Sequence, residues 1–489
     1  MLRTPSAFAA KDMCRALRVK PTPLMAEAGA IDFRIDVPPA PAPLHGIAAD
    51  IRRHMRSALG LPSGVREGVV TGAGHQPVVW HAGLLAKFIA ASADAAALAP
   101  ADTTGVWLHF ISDQDLVEPS RIDLPVREVG GAVRRSAVQF SAAWVRGNDL
   151  RASAWYPPFP PTASTAVCAS ETATAARDAF LRQLEANQRE ATAAMQFAKS
   201  VGSCAQAWTG QPALVIGSAA LLQAAAPLVE QILQEPERSA VAFNEALRED
   251  PHAARPLRVA GDRSEVPLWH VTRDGSRERI SADEARRALR SGTLLLPRAF
   301  LASGLLRICC DCFYHGTGGA RYERVGEVWW RRFFDIDLPP FGMATATMLP
   351  TPAALGISAA PTLPRVSHRR LWWNPHLLTG DRSQHDTRAA LVERIVQAPR
   401  RSAERAARYA ALHEWIARER TAGTDELDRI LREENTHRCA HAQASLAHSR
   451  TWPFLLLEPS ALDALTAAIT RAVQDARRGP RIPPNPPRA

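Results

Sequence analysis

The apolar positions of the chain form short continuous runs that alternate with segments of helical spacing. Residues 69–71, 106–111 and 214–218 have the composition of buried strands. The first run leads through a turn into residues 84–89, where apolar residues recur at helical spacing, and the third leads into residues 219–233. Strands that alternate with helices in this way predict an α/β protein with a Rossmann-like, nucleotidylyltransferase-like parallel sheet.

Changes in composition predict the domain organisation. Four parts are expected: an N-terminal extension and helix at 1–60, a Rossmann-like core at 61–350 with insertions at about 126–165 and 255–292, a helical arm with C-terminal helices at 381–478, and a disordered tail at 479–489. The arm is rich in Ala, Arg, Glu and Gln and has a thin apolar stripe. This pattern is typical of long helices or a coiled coil, and it favours a homodimer formed through the C-terminal helices.

A glycine-rich turn is expected between the first strand and its helix. It contains Gly72, Gly74, His75 and Gln76, and it ends with His81 and Gly83. Glycine lets the backbone approach a ligand closely, and the free N–H groups of the following helix favour an anion such as phosphate. The alternative is a tight turn in which the histidines are surface or capping residues.

Two aspartates follow the second apolar run. Asp113 and Asp115 come directly after residues 106–111, at a predicted strand end. They are candidates for a catalytic base or for binding a substrate amine. A solvated Asp-rich turn is the alternative, because such turns are common.

A second glycine-rich turn follows the apolar, Cys-rich residues 305–314. Its candidate ligand-binding residues are His315, Gly316, Thr317, Gly318, Gly319 and Tyr322. It lacks the lysine of a Walker loop and the spacing of the dinucleotide fingerprint. Because the carboxyl ends of parallel strands share one edge of a sheet, we expect this turn to meet the other two in one cleft.

The three segments, in this order, resemble the bacillithiol-biosynthesis cysteine-adding enzyme family. That family has a Gly-Gln-Gln followed by Gly-Gly-Pro, then Glu-Asp-His-Asp after a strand, then Gly-Pro-Gly-Glu-x-x-Tyr. The matching segments here are 74–76 with 81–83, 112–115 and 316–322. The resemblance departs from the family pattern at His75, Gln114 and Gly319, and these changes put the cysteine-joining reaction in doubt.

The resemblance implies a nucleotide-binding, ligase-like enzyme that joins or modifies a small polar metabolite. Its implied ligands are an anionic or amino-acid-like substrate and a nucleotide such as ATP or ADP. His75, Gln76, His81, Asp113 and Asp115 are then the candidate catalytic residues. Two alternatives remain open: a nucleotidylyltransferase-like enzyme that uses His81, and a non-catalytic binding or scaffold protein on the same fold.

Composition narrows the class of protein further. The 489 residues carry a net charge of +10, from 59 basic and 49 acidic residues scattered along the chain, which favours anionic ligands but predicts no nucleic-acid partner. Seven cysteines without framework spacing fit a reducing compartment, and Cys309, Cys310 and Cys312 are expected to be buried thiols rather than zinc ligands. No signal peptide or membrane span is expected, so the predicted location is the cytoplasm.

Overall fold

A computed structural model describes residues 31–61, 68–100, 105–129, 131–141, 150–162, 165–357, 368–378, 382–436 and 438–478. The predicted disordered tail at 479–489 lies outside these residues. The chain divides into two compact units, one formed by Met1–Arg127, Arg135–Gly356 and Ser449–Ala489, the other by Glu128–Arg134 and Ile357–His448.

The protein is mixed α/β, as the sequence predicts. Its described strands are β1 (Asp32–Asp36), β2 (Val70–His75), β3 (Val106–Ile111), β4 (Arg121–Arg127), β5 (Val133–Gln139), β6 (Leu214–Gly217), β7 (Glu265–Val271), β8 (Arg277–Ser281), β9 (Leu295–Pro297), β10 (Cys312–His315) and β11 (Phe341–Thr347).

Helices account for most of the remaining ordered chain. Those of the first unit are α1 (Gly46–Ala58), α2 (Ala82–Leu98), α3 (Glu171–Ala186), α4 (Ala193–Thr209), α5 (Ser218–Ala224), α6 (Ala226–Gln234), α7 (Pro236–Ala246), α8 (Ala282–Arg290), α9 (Phe300–Cys309), α10 (Ala320–Phe334) and the last helix of the chain, α16 (Pro459–Arg478). Those of the second unit are α11 (His368–Trp373), α12 (Arg382–Gln397), α13 (Ala403–Ala422), α14 (Thr424–Thr436) and α15 (Arg438–Ala447). The predicted helical character is therefore confirmed for the described residues of the segment 381–449.

The central sheet of the first unit has the order β1-β11-β10-β2-β3-β6. All its neighbouring pairs are parallel except β1 with β11. Numbered along the chain, the five parallel strands β2, β3, β6, β10 and β11 lie in the order 5-4-1-2-3, which is 3-2-1-4-5 from the other edge. The order reverses between β2 and β10, so a crevice can open there at the carboxyl edge of the sheet.

Two smaller sheets accompany the central one. β4 pairs with β5, and β7 lies between β8 and β9. The predicted hairpin in the 255–292 insertion is confirmed, because β7 and β8 pair antiparallel on either side of residues 272–276. This hairpin carries Arg277, which reaches the loop after β3.

Three sequence expectations differ from the structure. Residues 32–36, predicted as part of an extension, form an edge strand beside β11. The apolar run before the third turn is a strand only in part: residues 305–309 belong to α9, whereas Cys312–His315 form β10, as expected. The last helix, α16, was grouped with the arm but belongs to the first unit, because its buried residues Leu462, Leu465, Ile469 and Val473 pack on the side of α2.

The glycines of the first predicted turn also differ from expectation. Gly72 and Gly74 lie inside β2, and the turn itself begins only at Gln76. A Cβ at Gly72 would lie 2.8 Å from Sγ of Cys310, and one at Gly74 would lie 2.9 Å from the Phe110 ring. Both positions therefore need glycine because neighbouring side chains press against the central strand.

Candidate functional site

A cavity of about 600 Å³ opens at the carboxyl edge of the central sheet, where the strand order reverses. The predicted meeting of the three turns is confirmed, since each contributes to its wall. The predicted residues that line it are Gly74, His75, Gln76, His81, Gly83, Asp115, His315, Gly316, Thr317, Gly318, Gly319 and Tyr322. Their catalytic and ligand-binding roles stay predictions.

Two of the predicted residues are absent from the cavity wall. Gly72 packs inside the sheet, and Asp113 is only 3% exposed. The Asp113 carboxylate accepts a hydrogen bond of 2.9 Å from the backbone N–H of Ser218, the first residue of α5. Burial raises the pKa of Asp113 to about 6 despite this bond. In this arrangement Asp113 has a structural role, because its hydrogen bond holds the start of α5 against the end of β3.

The first turn brings two uncharged imidazoles to the cavity. His81 caps α2, because its Nδ1 accepts a hydrogen bond of 3.0 Å from the N–H of Gly83. Burial, followed by the charge of Arg450, lowers the pKa of His81 to about 4. Burial and then the charge of Lys87 lower the pKa of His75 to about 3. Both rings are therefore neutral at pH 7.

The second turn supplies a carboxylate that is already paired. Asp115 accepts a hydrogen bond of 2.9 Å from the side-chain amide of Gln76. On its other side, Nη1 of Arg277 lies 3.5 Å from Oδ1 of Asp115 and also donates to the backbone carbonyl of Gln114. The Arg277 guanidinium stacks over the Trp269 ring. Asp115 is thus held in place by both the first turn and the hairpin.

The third turn places a histidine beside a buried carboxylate. Nε2 of His315 lies 3.1 Å from Oε1 of Glu323, although the contact lacks the direction of a hydrogen bond. Glu323 is 1% exposed, and its other oxygen lies 2.8 Å from the equally buried Arg307. Burial alone would raise the pKa of Glu323, but His315 and Arg307 outweigh it and lower this pKa to about 2.

The glycines of the third turn are not equivalent. A Cβ at Gly319 would lie 2.5 Å from Nδ1 of His315, so glycine is needed there to seat the imidazole. A Cβ at Gly316 or Gly318 would meet no atom within 4 Å. These two glycines keep the backbone of the turn open to the cavity, at the point where α10 begins.

Four residues of the site were not predicted from the sequence: Lys87, Arg450, Arg277 and Glu323. Lys87 and Arg450 line the cavity, and Lys87 is only 3% exposed. The sequence contains a sign of the role of Lys87, because it is the one charged residue in the otherwise apolar stretch 82–91. A lone lysine within such a stretch is expected to be buried, and a buried lysine is a candidate functional residue.

Other classes of site find no support in the described part of the chain. Among those residues, no group of three His, Cys, Asp or Glu side chains could hold a metal ion. Cys309, Cys310 and Cys312 are buried, as expected. None of the described helices combines the length and the apolar character that a membrane span requires.

Comparison with known proteins gives no family assignment. The chain matches no protein-family model, and no curated protein is significantly similar to it. Any function therefore has to be argued from the cavity.

Proposed function

We propose that the protein is a nucleotide-binding, ligase-like enzyme that joins or modifies a small polar, anionic metabolite in the cavity. One observation carries the proposal: two strand–turn–helix units, β2 to α2 and β10 to α10, open onto the same cavity. Helix N-termini carry free N–H groups and a positive dipole end, so two of them at one cavity favour an anionic ligand.

The topology supports a Rossmann-like assignment. The parallel strands have the order 3-2-1-4-5, which is that of the first five strands of a dinucleotide-binding sheet. In such sheets ligands bind beyond the carboxyl ends of the strands, where the order reverses. The cavity occupies this position, between the ends of β2 and β10.

The resemblance to the bacillithiol cysteine-adding enzymes supports the ligase-like part of the proposal. All three resembling segments contribute residues to one cavity wall. In this proposal the amides of the third turn hold an anionic group of the ligand. Asp115 binds an amine or accepts a proton, because its carboxylate is partly exposed to the cavity. The substitutions at His75, Gln114 and Gly319 suggest that the metabolite differs from that of the family.

The geometry gives weaker support to a nucleotidylyltransferase that uses His81. Nδ1 of His81 is occupied by the cap of α2, so only Nε2 remains for a ligand. A binding or scaffold protein without catalysis remains the non-enzymatic alternative, since a fold does not by itself imply a reaction.

Isothermal titration calorimetry with ATP, ADP, AMP and cysteine tests the proposal. We expect a nucleotide to bind the wild-type protein and to bind the Gly318→Val variant about 10–100-fold more weakly, because the branched side chain blocks hydrogen bonds to a charged group. Gly202→Val, in α4, is the matched control, because a Cβ there also meets no atom within 4 Å.

The two variants separate binding from folding. Both should keep the unfolding midpoint of the wild type within a few degrees. If no nucleotide binds the wild type, or if Gly318→Val binds as tightly as Gly202→Val, the proposed function is wrong.

A further inference from the structure

A buried lysine lies in the wall of the cavity without a counter-ion among the described residues. Lys87 projects from α2, is 3% exposed, and its ammonium donates a hydrogen bond to the backbone carbonyl of Gly74. No carboxylate lies within ion-pair distance of Lys87 in the described ranges. A buried ammonium without an ionic partner is unfavourable, because burial removes its hydration.

The acidic side chains of the cavity wall pair with residues other than Lys87. Asp115 is held by Gln76 and Arg277, and Glu323 is held by Arg307 and His315. The neighbouring acidic residue on α2, Asp94, forms a close ion pair with Arg477 of α16. Among the described residues, the cavity wall therefore offers Lys87 no carboxylate as an ionic partner.

The groups around Lys87 add no compensating charge. His75 on β2, His81 before α2 and His109 on β3 interact with it electrostatically, and His315 on β10 and Arg450 line the same cavity. Burial lowers the pKa of His109 to about 3, so its ring is neutral at pH 7, as are those of His75 and His81. Burial lowers the pKa of Lys87 itself to about 7.

We propose that a phosphate group of the ligand pairs with Lys87 and that binding takes up a proton onto this side chain. This inference rests on the proposed function, because it needs an anionic ligand in the cavity. The amine accepts one proton from solvent to become an ammonium, which then pairs with a phosphate oxygen. No covalent bond forms. A phosphate fits the cavity because the turns at 76–83 and 316–319 both line it. A helix begins at the end of each turn.

Proton uptake makes the affinity depend on pH. Below neutral pH Lys87 is already charged and binding takes up no proton. Above it, protonation must accompany binding, so affinity should fall about tenfold for each pH unit. His75, His81 and His109 do not produce this effect, since they would charge only at more acidic pH.

Calorimetric titration of the full-length protein with sulfate and with ATP tests the proposal. Sulfate has the shape of phosphate and stays a dianion throughout, whereas ATP distinguishes a nucleotide phosphate from a free oxyanion. Titrations at pH 6.5, 8 and 9, in buffers with different heats of ionisation, give the number of protons taken up. Adenosine, which carries no phosphate, serves as the uncharged control.

For the wild type we expect uptake approaching one proton per anion at pH 9, with affinity about tenfold lower at pH 9 than at pH 8. Lys87→Met should weaken binding at pH 6.5 by at least about tenfold and should remove the pH dependence. Lys199→Met is the matched control, because Lys199 is a partly exposed lysine paired with Glu190 in α4.

The outcomes separate this inference from the proposed function. If anions bind without proton uptake, or equally well to Lys87→Met, the role of Lys87 is wrong while an anion-binding cavity remains. If neither sulfate nor ATP binds the wild type at any pH, both proposals fail. The measurement of proton uptake needs no variant, so it stands even if Lys87→Met does not fold.

Discussion

A buried ion pair fastens the last helix of the chain to the helix that begins at the cavity. Nε and Nη2 of Arg477 in α16 lie 2.6 Å and 2.7 Å from the two carboxylate oxygens of Asp94 in α2. The side chains are 7% and 0% exposed. Tyr314 of β10 donates to the same carboxylate over 3.1 Å, and Arg477 also donates to the carbonyl of Pro38.

Asp94→Asn should therefore destabilise the protein strongly. It removes the charge that offsets the buried guanidinium, and breaking a buried pair in this way costs about 3–5 kcal/mol. The control is Asp50→Asn, because Asp50 pairs with Arg53 at the surface, where the two side chains are 67% and 62% exposed. Loss of an exposed pair changes the free energy of unfolding by about 1 kcal/mol or less. Urea unfolding followed by tryptophan fluorescence measures both changes.

The double variant Asp94→Asn/Arg477→Met tests the cause of the loss. If the unpaired guanidinium carries the penalty, then replacing it with an apolar side chain should make the double variant more stable than Asp94→Asn alone. The reasoning is refuted if Asp94→Asn is no more destabilising than Asp50→Asn. It is also refuted if the double variant loses as much stability as the two single variants added together.

Two further predictions concern the core. Gly304→Ala places a Cβ 1.9 Å from Nε1 of the buried Trp330 and should destabilise by at least about 1–3 kcal/mol, whereas Gly326→Ala, with no atom nearer than 3.7 Å, should be neutral or slightly stabilising in thermal unfolding. Asp113 has a folded-state pKa of about 6 against an ordinary value of 3.8, so its ionisation opposes folding as the pH rises through this range. Relative to Asp113→Asn, the wild type should lose about 3 kcal/mol of stability between pH 3.5 and 6.5 in urea titrations, and a pH-independent difference would contradict the burial argument.

The sequence predicts the central strands well because parallel strands are buried on both faces. Such strands appear as continuous apolar runs, and β3 at residues 106–111 was located to the residue. β1 was missed because only alternate residues of this edge strand are half-buried, which leaves no such run. Gly72 and Gly74 were assigned to a turn because glycine usually marks one. Only the structure reveals the side chains of Cys310 and Phe110 that exclude a Cβ there.

The position of the cavity could be predicted, but its charge balance could not. The three turns meet because the ends of parallel strands share one edge, which is a general property of the fold. The partners of the acidic residues follow no such rule. Arg277, which holds Asp115, lies in a hairpin 162 residues further along the chain. No local sequence pattern predicts the contact between these two side chains.

The distribution of charge in the cavity differs from that of the whole chain. The net charge of +10 comes mostly from arginines scattered over the sequence, and an excess of that kind favours anions without choosing a place for them. Asp115 and Glu323 of the cavity wall pair with Arg277 and Arg307, and Arg450 is exposed to solvent, where salt screens its charge. Lys87 is both buried and without an ionic partner in the described structure. Solvent and salt would therefore screen its attraction for a ligand phosphate less than they screen that of Arg450. The preference for an anion that we propose for the cavity should accordingly depend on this side chain more than on the basic composition of the protein.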